Sequence, residues 1–283
     1  MSQPVLNRMA RFLKLLALSL ASMVSIVTIS PAVHAAGDLL VAPTRLVLNG
    51  KRGTEVILNN IGSETATYRI SLELRRMTEE GGLKDISKED ANAIEQAALS
   101  MIRYAPRRVT LPPNQPQAIR IAARTPPKLP DGEYRVHLLF RAIPKARPVT
   151  KKVEDVKGFR IALTPVYGVT IPLIIRKGKL KATAGISNAR LVTRGDKMAL
   201  EFDLAREGEG SIYGEIKIRK QGVDDPLFRA SGIAVYPEID RRKVSFPVPK
   251  RLAASLKGPV SIEFYKHRNA GGGLITKTQT VLQ

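Results

Sequence analysis

The 283-residue chain contains no cysteine, no tryptophan and only three histidines. Without cysteine there is no disulfide, thiol nucleophile, thiolate metal site or redox pair, so the fold must hold by packing alone. Aromatic residues make up 5% of the chain, which leaves little for stacking against nucleic-acid bases. His34 lies near the N-terminus, His137 in the strand-like "YRVHLLF" and His267 in "YKHRN" at a strand end. Neither His137 nor His267 has metal-ligand spacing or a nucleophile motif beside it. The carboxylate pairs Glu79-Glu80 and Asp224-Asp225 fall at turns, and no glycine-rich phosphate loop follows a strand and opens a helix. These absences argue against an enzyme and against any bound metal or cofactor.

Long apolar runs are missing too, with one exception at the start. Arg8, Arg11 and Lys14 precede "LLALSLASMVSIVTI", and "PAVHAA" follows with small residues at Val33 and Ala35. A basic head, an apolar stretch and an A-x-A-like end are the layout of a secretory signal peptide. The run is shorter than the ~20 residues a membrane span needs. Residues 1–35 are therefore expected to be removed, leaving an exported protein with no stable membrane insertion.

Acidic residues are scarce as well. The net charge is +21, of which the signal peptide carries +3. Residues 37–177 carry +10 and residues 178–283 carry +8, so the excess is spread along the chain and not gathered in an arm. Such a field favours anionic partners. A basic exported β-sandwich module that binds polyanions or envelope components is accordingly the alternative reading; nucleic acid is not expected.

What is present is alternation. After the signal peptide, segment after segment repeats with period two and ends in a turn signal. "TATYRISLELRRM" puts Tyr68, Ile70, Leu72 and Leu74 on one face; "QAIRIAAR" and "EYRVHLLFRAIP" continue the pattern. The second half repeats it from "LKATAGISNARL" to "LITKTQTVLQ". "TRGDK" reads as a hairpin turn and not as an adhesion tripeptide. One helix interrupts the first half, over residues 87–101. Ser87 and Asp90 stand in capping-box spacing, with Ile94, Ala98 and Met101 on one face. The expected fold is all-β: two tandem sandwich domains, 36–177 and 178–283, with a cleft between them and one short helix inserted in the first.

The stretch "FRIALTPVYGVTIPLIIRKG", residues 159–178, stands out. Its odd positions are nearly all apolar, yet Pro165 and Pro172 lie inside it, and proline is confined in sheets to edges, first positions or bulges. The two prolines have opposite parity, so one flat strand would lose a donor on each side. A bulge near Gly168 resolves this, giving two pieces, about 159–166 and 169–176. An apolar edge left open invites another chain to pair with it.

The motifs "PTRLVLNG", "YAPRRVTLPPNQPQAIRI", "KLPDGEYRVHLLFRAIP" and "IPLIIR", in that order, carry a resemblance. The chain resembles the periplasmic chaperones of the chaperone–usher pathway, which assemble fimbriae. That resemblance implies two immunoglobulin-like domains and a periplasmic address. It also implies a client: pilin-like subunits that lack a strand and are delivered to an outer-membrane usher. Donation of an edge strand to the subunit then falls to Ile161, Leu163, Tyr167 and Val169. The subunit's C-terminal carboxylate is implied to sit on Arg45, and Arg176 to stabilise the cleft. The chain departs from the family pattern in two ways. Pro172 occupies the place of the second anchoring cation, a lysine, leaving Arg160, Lys177 or another cleft residue as substitutes. The strand is also about four residues longer than expected before Arg176, which leaves the donor register open between two alignments.

Overall fold

The structure is a computed structural model that describes residues 39–50, 52–145, 165–195, 197–220 and 222–283. The signal-peptide segment, Arg160, Ile161 and Leu163 lie outside the described residues.

The first half forms strands β1 (Leu39–Ala42), β2 (Leu46–Leu48), β3 (Thr54–Asn60), β4 (Ala66–Met77) and β5 (Leu83–Ile86). Helix α1 (Ala93–Met101) follows, then β6 (Ile102–Ala105), β7 (Arg108–Leu111), β8 (Pro116–Ala123), β9 (Gly132–Ile143) and β10 (Gly168–Lys177). One sheet has the order β1-β3-β8-β6; the facing sheet runs β2-β10-β9-β4, with β5 and β7 both on the far edge of β4. The first four correspond to strands A, B, E and D of an immunoglobulin domain, and β10, β9 and β4 to G, F and C. The chain crosses from one sheet to the other between β1 and β2.

Strands β11 (Ala182–Arg194), β12 (Lys197–Gly208), β13 (Ile212–Lys220), β14 (Phe228–Val235), β15 (Arg241–Val248), β16 (Gly258–Lys266) and β17 (Leu274–Leu282) build the second lobe. Its sheets are β11-β12-β15 and β14-β13-β16-β17. The expected class, all-β with two tandem immunoglobulin-like sandwiches, is the one observed. Arg194 pairs with Lys197 where β11 and β12 meet; Asp196 lies outside the described residues.

Alternation builds both cores. In β9, Tyr134, Val136, Leu138 and Phe140 point inward, and β10 answers with Ile171, Leu173 and Ile175. Side chains two apart on a strand share a face, so each strand contributes one apolar row. A second core forms around Leu200, Ile216, Ile262 and Phe264. Where β10 ends, Gly178 has φ +81° and its Cα lies against the Asp131 carboxylate, where a Cβ would collide; glycine adopts that left-handed turn without strain.

Three expectations need correction. The helix begins at Ala93, not Ser87, because Asn92 is the N-cap: its side chain accepts from Glu95 N and Glu95 reaches back to Asn92 N. Ser87 and Asp90 bond each other and close a separate turn. Ala98 and Met101 are buried as expected, whereas Ile94, in the first turn of the shorter helix, is 56% exposed. Second, no bulge occurs at Gly168. The β10–β9 register runs unbroken from Gly168↔Arg141 to Lys177↔Gly132, and residues 165–167 are not strand. Third, a second helix, α2 (Lys250–Leu256), buries Ala253 and Leu256 against the second core.

Leu173 is fully buried between both sheets of the first lobe. Leu173→Ala is expected to lower stability by about 2–5 kcal/mol, through lost transfer energy and the cavity left behind, read as an earlier urea midpoint at unchanged slope.

Candidate functional site

Strand β9 pairs with β10 along its whole length, but β2 pairs with it only from Leu173 to Ile175. Ala142 N donates to the Tyr167 carbonyl at 2.9 Å, so odd-numbered residues turn their backbone groups toward β9. By strand alternation the even-numbered ones face the opposite edge. Above Leu173, that edge presents the N–H and C=O groups of Gly168 and Thr170 and the carbonyl of Pro172. Among the described residues no strand pairs with them. Pro172 is tolerated because its nitrogen, which has no hydrogen to donate, faces this open side. Val169 shares the face of Ile171 and packs on the first core, whereas Tyr167, just before the strand, is 49% exposed.

At the lower end of this edge lies a cleft between the lobes. Arg45 immediately precedes β2, so one register step before Leu46↔Leu173 sets it beside Pro172. Its guanidinium lies 4.3 Å from the Tyr213 ring centre and donates to Tyr236 Oη (2.9 Å) and Ser211 Oγ (3.3 Å). Arg176 also donates to Ser211 Oγ (3.3 Å) and pairs through Nε with Glu133 at 3.0 Å. The Glu133 carboxylate accepts from Ser211 N (3.1 Å) and Oγ (2.9 Å). Arg45 and Arg176, chosen from sequence, thus converge on one serine of the second lobe. Lys177 does not join them: its Nζ donates to the Pro127 carbonyl at 3.0 Å and to that of Leu129. Ile174 closes the lobes together below, packed with Met77, Ala234 and Tyr236.

A cavity of about 220 Å³ opens here, lined by Arg45, Arg176, Lys181 and Lys266 with Ser211 and Tyr213. Four cations line it and no carboxylate does. Arginine can bind a carboxylate through paired N–H bonds, so this lining is chemically suited to a small anion. Sequence reading missed Lys181, Lys266, Ser211, Tyr213 and Tyr236. Each belongs to the second lobe and meets Arg45 only through folding, and no local pattern marks any of them.

His137 pairs directly with Pro172 and Glu73 in the sheet. It faces away from the first core, as its parity requires, but it is not solvated: it is 1% exposed. Burial first, then the positive charges of Arg135, Arg75 and Arg45, push its pKa down to about 3. Neither ring nitrogen has a hydrogen-bond partner among the described residues. In the unfolded chain the ring takes up a proton near pH 6.5. Stability from this site is therefore complete above that value and falls as the pH drops toward 3, by on the order of 1 kcal/mol per unit. Glu95 and Glu201, whose pKa values lie below the ordinary 4.5, enter only below that point. Denaturant melts between pH 6.5 and 4.5 are expected to show this slope in the native protein and a flatter one in His137→Gln.

No protein-family model matches the chain, and no curated protein matches it. Among solved structures, the chain is similar to the Escherichia coli chaperone DraB, with 15% identity, a TM-score of 0.42, and cover of 87% of this chain and 99% of that one. It is similar to the Pseudomonas aeruginosa CupB2 chaperone at 12% identity and TM-score 0.42, covering 86% of this chain and 100% of that one. A Salmonella enterica SafA pilin complex with the SafB chaperone gives 16% identity and TM-score 0.42, with cover of 87% and 97%.

Proposed function

We propose that this protein is a periplasmic chaperone that lends the open edge of β10 to strand-deficient, pilin-like subunits and passes them to an outer-membrane usher. The observation that carries this reading is the mismatch between β10 and β2. A strand whose apolar row continues the core of its own lobe has, among the described residues, no backbone partner on its second edge above Leu173. Main-chain bonds to that edge supply affinity, and alternate side chains supply fit. Val169 and Tyr167, with Ile161 and Leu163 upstream, are the residues that fill the subunit's groove; the half-exposed Tyr167 gains roughly 1.5–3 kcal/mol on burial, and Val169, already packed on the first core, gains less. Arg45 holds the subunit's terminal carboxylate. Pro172 contributes no charge there, and Lys181 or Lys266 from the second lobe provides the other cation. The signal peptide is cleaved after Ala35, and no nucleotide, metal or other cofactor takes part.

Co-expression with a subunit that lacks its last strand tests the reading. The paired change Tyr167→Asp and Val169→Asp is expected to cut recovered complex by more than tenfold, with Arg45→Ala nearly as damaging. Each buried charge forfeits more than the ~1.4 kcal/mol that corresponds to that factor. The native complex is expected to survive high salt, because strand pairing is not screened as surface charge is. Unchanged subunit recovery in the Asp pair, or a complex that dissolves in high salt, would overturn strand donation and favour polyanion binding.

A further inference from the structure

Arg69 on β4 stands directly opposite Arg108 on β7 and directly opposite Arg141 on β9. Three arginines therefore lie side by side across three strands of one sheet face, and all three are exposed. Like charges set directly opposite each other weaken a sheet. Beside this row is a groove of about 660 Å³ whose lining includes Arg69, Arg108, Lys88, Arg103 and Arg107. No carboxylate lines it, and among the described residues Arg69, Arg107, Arg108 and Arg141 form no ion pair.

The groove also has an unpaired step of backbone. β7 pairs with β4 as far as Arg69, and β5 takes over only at Leu74. Ile70 N donates to the Arg107 carbonyl at 2.9 Å, and the Ile70 carbonyl accepts from Tyr104 Oη at 3.2 Å. Ile70 thus turns its backbone groups toward the gap. Alternation turns those of Leu72 the same way, where among the described residues no strand answers them.

We propose that this groove binds an acidic, extended polypeptide segment of a partner protein. Carboxylate side chains meet the arginines and Lys88, and the segment's main chain meets the free step at Leu72. Charge complementarity selects the sign of the ligand. The open backbone step selects peptide over nucleic acid, and Tyr104 is the one aromatic lining residue, with Arg107 at 5.4 Å from its ring centre, too little for a run of stacked bases. The site lies on the far edge of β4, away from the open edge of β10, and stands independently of strand donation.

The test uses the mature protein and three probes: fluorescein-labelled (Glu-Val)5, its (Gln-Val)5 counterpart and a single-stranded DNA 10-mer. Fluorescence anisotropy is expected to show binding of the Glu peptide, weakened several-fold between low and physiological salt, and little binding of the Gln peptide. The triple variant Arg69→Ser, Arg107→Ser, Arg108→Ser is expected to bind the Glu peptide about tenfold more weakly, three exposed pairs each contributing a factor of a few. A control with the same charge loss elsewhere, Arg229→Ser, Arg251→Ser, Arg268→Ser, is expected to change it less than twofold. The groove variant is expected to melt no earlier than the native protein, because it relieves repulsion. Equal losses in the two variants would reduce the effect to overall charge and overturn the proposal. So would absence of binding by the native protein, or DNA bound as tightly as the Glu peptide.

Discussion

The parallel pairing of β2 with β10 covers three residues of a strand that runs from Gly168 to Lys177. Its brevity follows from the crossing at Pro43, Thr44 and Arg45, where the chain leaves one sheet for the other. β1 is committed to β3 in the first sheet, so nothing remains to extend β2 upward along β10. The same crossing sets Arg45 where the open edge begins. A constraint of connectivity therefore places both an unpaired edge and a cation at its foot, and the side chains that flank them inherit their roles from that placement.

The cleft keeps its shape through charged groups held away from water. The Tyr236 ring centre lies 3.6 Å from the Arg135 guanidinium and 5.4 Å from that of Arg45. Arg135 pairs with Glu238, which also accepts from Met77 N at 2.7 Å. Arg206, nearly buried, donates to the carbonyls of Gly208 and Gly210 and to that of Ile239, which fixes the turn presenting Ser211. Buried ion pairs add little net stability, because desolvation offsets attraction. Their geometric demands are strict, however, and a pair that joins two lobes disfavours other angles between them. Rigidity in the cleft is the physical return on these contacts.

Strand content was legible because burial on one face of a sheet writes itself as period two, and both lobes obey that rule along most of their length. The helix in the first lobe was found but misplaced. Ser87 and Asp90 satisfy the same spacing as Asn92 and Glu95, and only the reciprocal capping bonds of the second pair decide between the two. α2 escaped notice because "KRLAASL" is too short to show a helical period. The prolines of the 159–178 stretch were read as demanding a bulge. Pro165 lies outside the strand and Pro172 faces an edge with no partner, a distinction that depends on where β2 stops. Nothing in "PTRL" reveals Ser211 or Tyr236, which stand 166 and 191 residues away. Pairings at that separation follow from the fold and have no local signature.

Pro172 in place of a cation has a physical rationale in its neighbours. It sits directly opposite His137, a buried ring already under the positive fields of Arg135, Arg75 and Arg45. An ammonium here would have added another positive charge to a floor where water is excluded and repulsion is least screened. Lys181 and Lys266 reach the cavity from the exposed side of the second lobe instead, where solvent screens them. Dividing the positive charge between the lobes also makes the spacing of the cations depend on the angle between them. The contacts that hold that angle, Arg135 with Glu238 and Arg176 with Glu133 and Ser211, thereby set the shape of the cavity as well as the joint between the lobes.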